Sequence, residues 1–199
     1  MRFRRRRSED GGRRNLSSVL CPLFSVLCLL SSVFCSSCGY TTKSLLPPHI
    51  KNVYIDNFKN NIDITEEISN KKPYLLYSPG LENDVTRAVS ERFITDGNLK
   101  VVRHAEQADA IVSGKLLEYV REPLRYNDNQ DVTEYRVRVA ASVRFLDKKN
   151  NKIIWEAASF SGESSQRTEG SLKKTEETAR HEAVDDLARR VIEKTIEVW

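Results

Sequence analysis

Few side chains in this sequence could do chemistry, and their positions limit what that chemistry is. The three histidines, His49, His104 and His181, have no metal-ligand spacing between any pair, and all four cysteines lie within the first 38 residues. No metal site is therefore expected. His181 has Glu177 and Asp185 four residues to either side, an acid–base cluster in outline. Such i±4 patterns are routine on solvated helix faces. Ser171-Leu172-Lys173-Lys174 fits the S-x-x-K string of serine acyl-transfer enzymes, but its S-D-N and K-T-G partners are missing, and the string reads better as a helix cap. The eight glycines never take the spacing of a phosphate-binding loop. Nothing here supports an enzyme, and no cofactor is expected.

Two groups of residues remain. Arg136, Arg138 and Arg144 fall on one face of an alternating segment, with Arg121 and Arg125 on the stretch before it. Guanidinium forks bind phosphates bidentately, so this face is a candidate for glycolipid-phosphate contacts. Its plainer explanation is a solvated outer face whose charges discourage edge pairing. The second is Cys38, the last thiol of the chain, followed by 161 residues without another. A domain with no later cysteine cannot be built on disulfides. Ser36-Ser37-Cys38 resembles a bacterial lipobox, with Cys35 where a leucine is usual; cysteine behaves as a small hydrophobe, so the pattern survives. The resemblance implies acylation: Cys38 as the lipid attachment site, carrying a thioether diacylglycerol and an N-acyl chain. Two or more chains give stable membrane anchoring where one does not.

What precedes Cys38 agrees. Seven arginines stand against Glu9 and Asp10 in residues 1–37, and an uncharged, leucine-rich run follows from Asn15 to Ser37. A positive start, an apolar stretch and small residues before a cleavage point define a secretory signal. The run is also long enough for a signal anchor, but its serines dilute it. The formal charge of +4 belongs to this leader: the 25 basic and 26 acidic residues that remain give the rest a charge of −1. A nucleic-acid partner is thereby disfavoured. Residues 1–37 are read as a lipoprotein signal peptide, 38–48 as a lipidated tether containing Pro47-Pro48, and 49–199 as one domain.

The domain's elements follow from periodicity. Ile50 to Phe58 is a strand, and residues 59–78 a long loop with room for a short helix and an apolar Tyr74-to-Tyr77 patch. That patch is either a contact surface or a segment folded back on the domain. A helix starts at Ser78-Pro79, places Leu81, Val85, Ala88, Val89 and Phe93 on one face and ends at Gly97. Strands follow at Leu99–Arg103 and Ala110–Tyr119. Tyr135 to Phe145 alternates with period two, and Lys152 to Phe160 returns after the turn at 147–151. A second amphipathic helix runs from about Ser171 to Trp199. Two such helices and about four strands hide their apolar faces only together. The expected fold is α+β: a two-layer sandwich with both helices on one face of a mostly antiparallel sheet.

These motifs, in this order, resemble a family. Cys38-Gly39-Tyr40, Leu46-Pro47, Ile50 to Ile55, Phe58-Lys59-Asn60, Asp96-Gly97-Asn98-Leu99, Ala108-Asp109-Ala110-Ile111 with Gly114, Phe145-Leu146-Asp147 and Ile154-Trp155-Glu156 are similar to the LPS-assembly lipoprotein (LptE) family over roughly residues 38–199. The resemblance implies a non-enzymatic, outer-membrane lipoprotein facing the periplasm. Its partner would be the β-barrel that inserts lipopolysaccharide into the outer leaflet, which it helps to fold and plugs, and lipopolysaccharide itself is a candidate ligand. The rival is a periplasmic lipoprotein of another envelope machine, such as an activator of peptidoglycan synthases, which also couples a short strand, a helix and an Ala-Asp-Ala-Ile strand behind a lipidated cysteine.

Overall fold

The computed structural model describes residues 46–63 and 74–196, all within a compact unit spanning Ser44–Trp199. The leader, Cys38, residues 39–45 of the tether, the 64–73 stretch and Trp199 lie outside the described residues. The chain forms β1 (Asn52–Ile55), β2 (Lys59–Asn60), α1 (Leu81–Asp96), β3 (Lys100–Val101), a 3-10 turn (Ala105–Gln107), β4 (Ala110–Tyr126), β5 (Val132–Asp147), β6 (Lys152–Arg167) and α2 (Glu176–Ile196). Strand order is β3-β1-β4-β5-β6, with β2 pairing β4 off that path. The short strands run parallel to their neighbours and the long β4–β5–β6 meander is antiparallel. With both helices packed on it, this is the expected two-layer α+β arrangement. Among the described residues no helix is long and apolar enough to cross a membrane.

Alternation builds the sheet. Val137, Val139, Ala141, Val143 and Phe145 of β5 are all buried beneath the helices, while Arg136, Arg138, Ser142 and Arg144 between them reach the other side. Each large side chain so buried contributes about 1.5–3 kcal/mol. In α1 the buried residues Leu81, Val85, Val89 and Phe93 recur every fourth position, a stripe that one sheet face can cover. The helix closes on Gly97, whose φ of 75° and N–H bond to the Phe93 carbonyl make a left-handed cap.

Several boundaries differ from the sequence expectation: β1 and β3 are shorter than Ile50–Phe58 and Leu99–Arg103, and β2 falls inside the stretch expected to be loop. The first helix begins at Leu81, not at Ser78-Pro79, with Gly80 at φ 81° as its N-cap. The Ser78 hydroxyl instead accepts a 2.8 Å hydrogen bond from Arg180 on α2. The second helix is capped by Thr175, whose Oγ1 accepts the Thr178 N–H at 3.1 Å, rather than by Ser171. Residues before it fold back along β6, the Lys174 N–H donating to the Arg167 carbonyl. The meander strands also run farther, to Tyr126 and Arg167, because each extends the ladder of its neighbour.

Two glycines let layers meet closely. A Cβ at Gly162 would lie 2.1 Å from the Ala183 carbonyl oxygen and 2.2 Å from the Leu187 nitrogen, so β6 and the backbone of α2 touch directly. At Gly114 a Cβ would fall 2.2 Å from the ring of Phe58, which lies flat on β4 there.

Candidate functional site: the open sheet face and the tether end

The sheet face away from the helices carries Arg136, Arg138 and Arg144 together, as period two requires. The neighbouring strands supply an acidic partner for each. Arg144 donates from Nε and Nη2 to Glu156 Oε1 at 3.1 and 2.7 Å. Arg138 lies 3.7 Å from both Glu118 and Glu122, and Arg136 3.8 Å from Glu163. At the far end Glu134 sits between Arg125 and Arg167. The separations at Arg136 and Arg138 are too long for hydrogen bonds. Exposed pairs of this kind hold little energy, about 0–1 kcal/mol each. A phosphate bound to a guanidinium by two parallel hydrogen bonds is a stronger partner than a carboxylate 3.7–3.8 Å away. Beside Arg144, a shallow polar depression is lined by Lys59, Ser113, Lys115 and Ser142, with Asp56 and Glu156 at its rim.

Arg121, flanked by the open-face positions Val120 and Glu122, points the opposite way, as its register with the buried Val137 requires. Its guanidinium lies 3.8 Å from the Tyr135 ring centroid and its Nε donates to Gln166 at 2.9 Å. It also pairs with Glu176 at 3.3 Å, and Tyr119 donates its hydroxyl to the same carboxylate at 2.9 Å. Burial, reinforced by Glu176, pushes the Tyr119 hydroxyl well above its ordinary pKa, so it stays a donor. This network ties the start of α2 to β4, β5 and β6. The sequence offered no signal for it, because its members lie up to 57 residues apart.

At the opposite end the tether meets the sheet. His49 Nε2 lies 2.8 Å from the Asp147 carboxylate at the end of β5. Asp147 also accepts the Lys149 and Asn150 backbone N–H groups and the Asn150 side chain. Burial would raise its pKa, but the hydrogen bonds from Asn150 and His49 win and hold it below the usual carboxylate value. Asp109 is likewise held low, by the N–H groups of Asn52 and Lys51.

The Tyr74–Tyr77 patch divides. Leu75 is 3% exposed and Leu76 packs against the core; the Leu76 N–H donates to the Tyr119 carbonyl, and the Arg121 N–H donates to the Tyr74 carbonyl. Tyr74 and Tyr77 remain 46% and 43% exposed. The candidate catalytic groupings do not assemble. His181 lies 3.9 Å from Glu177 on an exposed stretch of α2, and Ser171 sits in an exposed turn. Among the described residues no three potential metal ligands converge.

Against known proteins, the model of the lipopolysaccharide-assembly family LptE matches residues 50–195. The chain belongs to the LptE family. It is therefore a non-enzymatic lipoprotein of the outer membrane and a partner of the barrel that assembles lipopolysaccharide there. No curated protein matches it. Solved structures resemble it distantly. The hypothetical protein CT253 from Chlamydia trachomatis aligns at 14% identity and TM-score 0.48 over 74% of this chain and 98% of its own. Uncharacterized lipoprotein B from Nitrosomonas europaea aligns at 17% and 0.45 over 76% and 84%. A minor lipoprotein from Acinetobacter baumannii aligns at 14% and 0.41 over 73% and 91%. These likenesses are too remote to add to the family match. Membership accounts for a site without a nucleophile: a chain of the LptE family acts through its surfaces.

Proposed function

We propose that this chain is held at the outer membrane by acyl chains on Cys38 and enters the lumen of the lipopolysaccharide-assembly barrel as a plug. Residues 1–37 are removed as a signal peptide, 38–48 form the lipidated tether, and the α+β domain from 49 onward does the work. The observation that carries this reading is the family match over 50–195, behind a lipobox-like cysteine. The open sheet face supports a more specific role. Arg136 and Arg138 trade their loosely held carboxylates, and Arg144 its hydrogen-bonded Glu156, for the phosphates of lipopolysaccharide passing through the barrel, which a guanidinium grips with paired hydrogen bonds.

The test has two parts. Protein tagged at its C-terminus and extracted in mild detergent brings down a large β-barrel; recovery without one overturns the plug. Replacing Cys38 by alanine abolishes incorporation of radiolabelled palmitate; equal labelling of both versions removes the anchor.

A further inference from the structure

We propose that the tether end of the open sheet face is a membrane-docking surface, an apolar row beside a cluster of lysines that seats the domain on an anionic lipid bilayer next to its own anchor. The inference rests on the anchored reading above and adds a second point of contact to it.

The open face is not uniform. Through most of its length it shows charged and polar residues, the row Ser113–Arg144–Glu156 being typical. One row differs. Tyr54 of β1 is in register with Ile111 of β4, Ile111 with Leu146 of β5, and Leu146 with Ile153 of β6. Four consecutive strands thus place four large apolar side chains side by side on the face that the helices leave bare. None of the four is buried, and Ile153 is 43% exposed. Their strand neighbours Val53, Ala110, Val112 and Phe145 are completely buried on the helix side, so the row is not overflow from the core. An apolar row with a tyrosine at one end fits the interfacial zone of a bilayer, where amphipathic rings settle.

The exposed charge around the row is mostly positive. Lys51, Lys148, Lys149 and Lys152 come together at this end of the sheet, from the start of β1 and from the β5–β6 turn. All are exposed. The carboxylates closest in sequence keep their charge but are turned inward: Asp147, 4% exposed, is bonded to His49 and Asn150, and the half-buried Asp109 accepts the N–H groups of Lys51 and Asn52. Glu106 is the acidic residue left exposed on the adjoining turn. Lysines beside an apolar strip are attracted by anionic headgroups and repelled by cationic surfaces.

The tether fixes which surface this end can reach. His49 is held against Asp147, on the same edge as the lysines. It lies 11 positions after Cys38, so extended chain could separate the acyl chains from the row's end of the sheet by at most ~40 Å. Anchored through Cys38, this end cannot leave the neighbourhood of the bilayer, and a weak surface attraction becomes effectively intramolecular.

The experiment uses the full chain, processed and acylated, reconstituted into vesicles. No thiol follows Cys38, so a single introduced cysteine is the one labelling site of the processed protein. An environment-sensitive fluorophore is placed by Ile153→Cys, and for comparison by Ser165→Cys, which lies on the same face at the other end, opposite Arg136. In phosphatidylglycerol-containing vesicles the label at 153 shifts to the blue and is quenched by nitroxide-bearing lipid, while the label at 165 stays aqueous. Lys51→Glu, Lys149→Glu and Lys152→Glu together, or vesicles of phosphatidylcholine alone, reduce the quenching roughly tenfold or more, although the protein still floats with the vesicles. Equal, aqueous signals at both positions in floating protein overturn the proposal. So does quenching that charge reversal leaves unchanged. A blue shift seen only when the barrel is co-reconstituted makes the row a protein contact instead and likewise overturns it. Protein that fails to float at all has no working anchor, and both readings fall.

Discussion

The two faces of β5 are made from adjacent residues yet follow opposite rules. On the helix side Val137, Val139, Ala141, Val143 and Phe145 are at most 1% exposed, and neighbouring layers approach so closely that Gly162 has no room for a methyl group. On the open side the arginines are held by exposed carboxylates at distances of up to 3.8 Å. One face specifies the fold through packing that cannot be altered without loss. The exposed ion pairs of the other add little to stability. A chain of the LptE family needs both, because it must keep its shape while exchanging contacts inside a larger assembly.

The comparison can be broken deliberately. The largest effect is expected from Phe145→Ala, which removes a fully buried ring that faces Trp155 at 6.3 Å. It should cost about 3–5 kcal/mol in chemical denaturation. Gly162→Ala comes next: the added methyl meets the backbone of α2, not a mobile side chain, so α2 must shift. A loss of about 3 kcal/mol is expected, near the upper end for overpacking, or roughly 10 °C in Tm. Stability above 90% of the parent value would mean the layers are less tightly apposed than described.

Lowering the pH probes the tether end. Asp147 and Asp109 are held below the ordinary aspartate pKa, so their contribution is complete above that ordinary value and is lost as pH falls through the lower folded values. The melting temperature should therefore decline as pH drops below about 4, and His49→Gln should make that decline shallower by removing one of the groups that hold Asp147 ionised. The smallest effect on folding belongs to the open face. Replacing Arg136, Arg138 and Arg144 together by glutamine should change stability by about 0–1 kcal/mol per arginine, yet weaken lipopolysaccharide binding in a pull-down. A stability loss matching that of Phe145→Ala would erase the distinction between the faces.

Much of this was legible in the sequence where a period repeats. The alternation from Tyr135 to Phe145 located β5 and assigned its arginines to one side, and the fourfold spacing from Leu81 to Phe93 located α1. The tails of β4 and β6 were not legible. Val120 to Tyr126 includes Pro123 and alternates poorly, and Ser161 to Arg167 has the composition of a loop. Both are strands because β5 offers each an open ladder, and that is a tertiary cause. The same reason hid the acidic partners of the arginines. Glu118, Glu122, Glu156 and Glu163 lie on other strands, and only the register brings them alongside. Gly80 displaced the expected cap at Ser78 because Arg180, a hundred positions away, claims the serine hydroxyl.

The length of β5 has a mechanical consequence. Sixteen residues at ~3.3 Å each make a strand about 50 Å long, bonded along its length to β4 on one side and β6 on the other. Its two ends are chemically unlike, with the His49 clasp at Asp147 and the exposed Tyr126 opposite Val132. The meander therefore joins the two ends through paired strands, bent at their bulges, so a displacement at the Tyr126 end reaches the tether end along hydrogen-bonded ladders and not through loops.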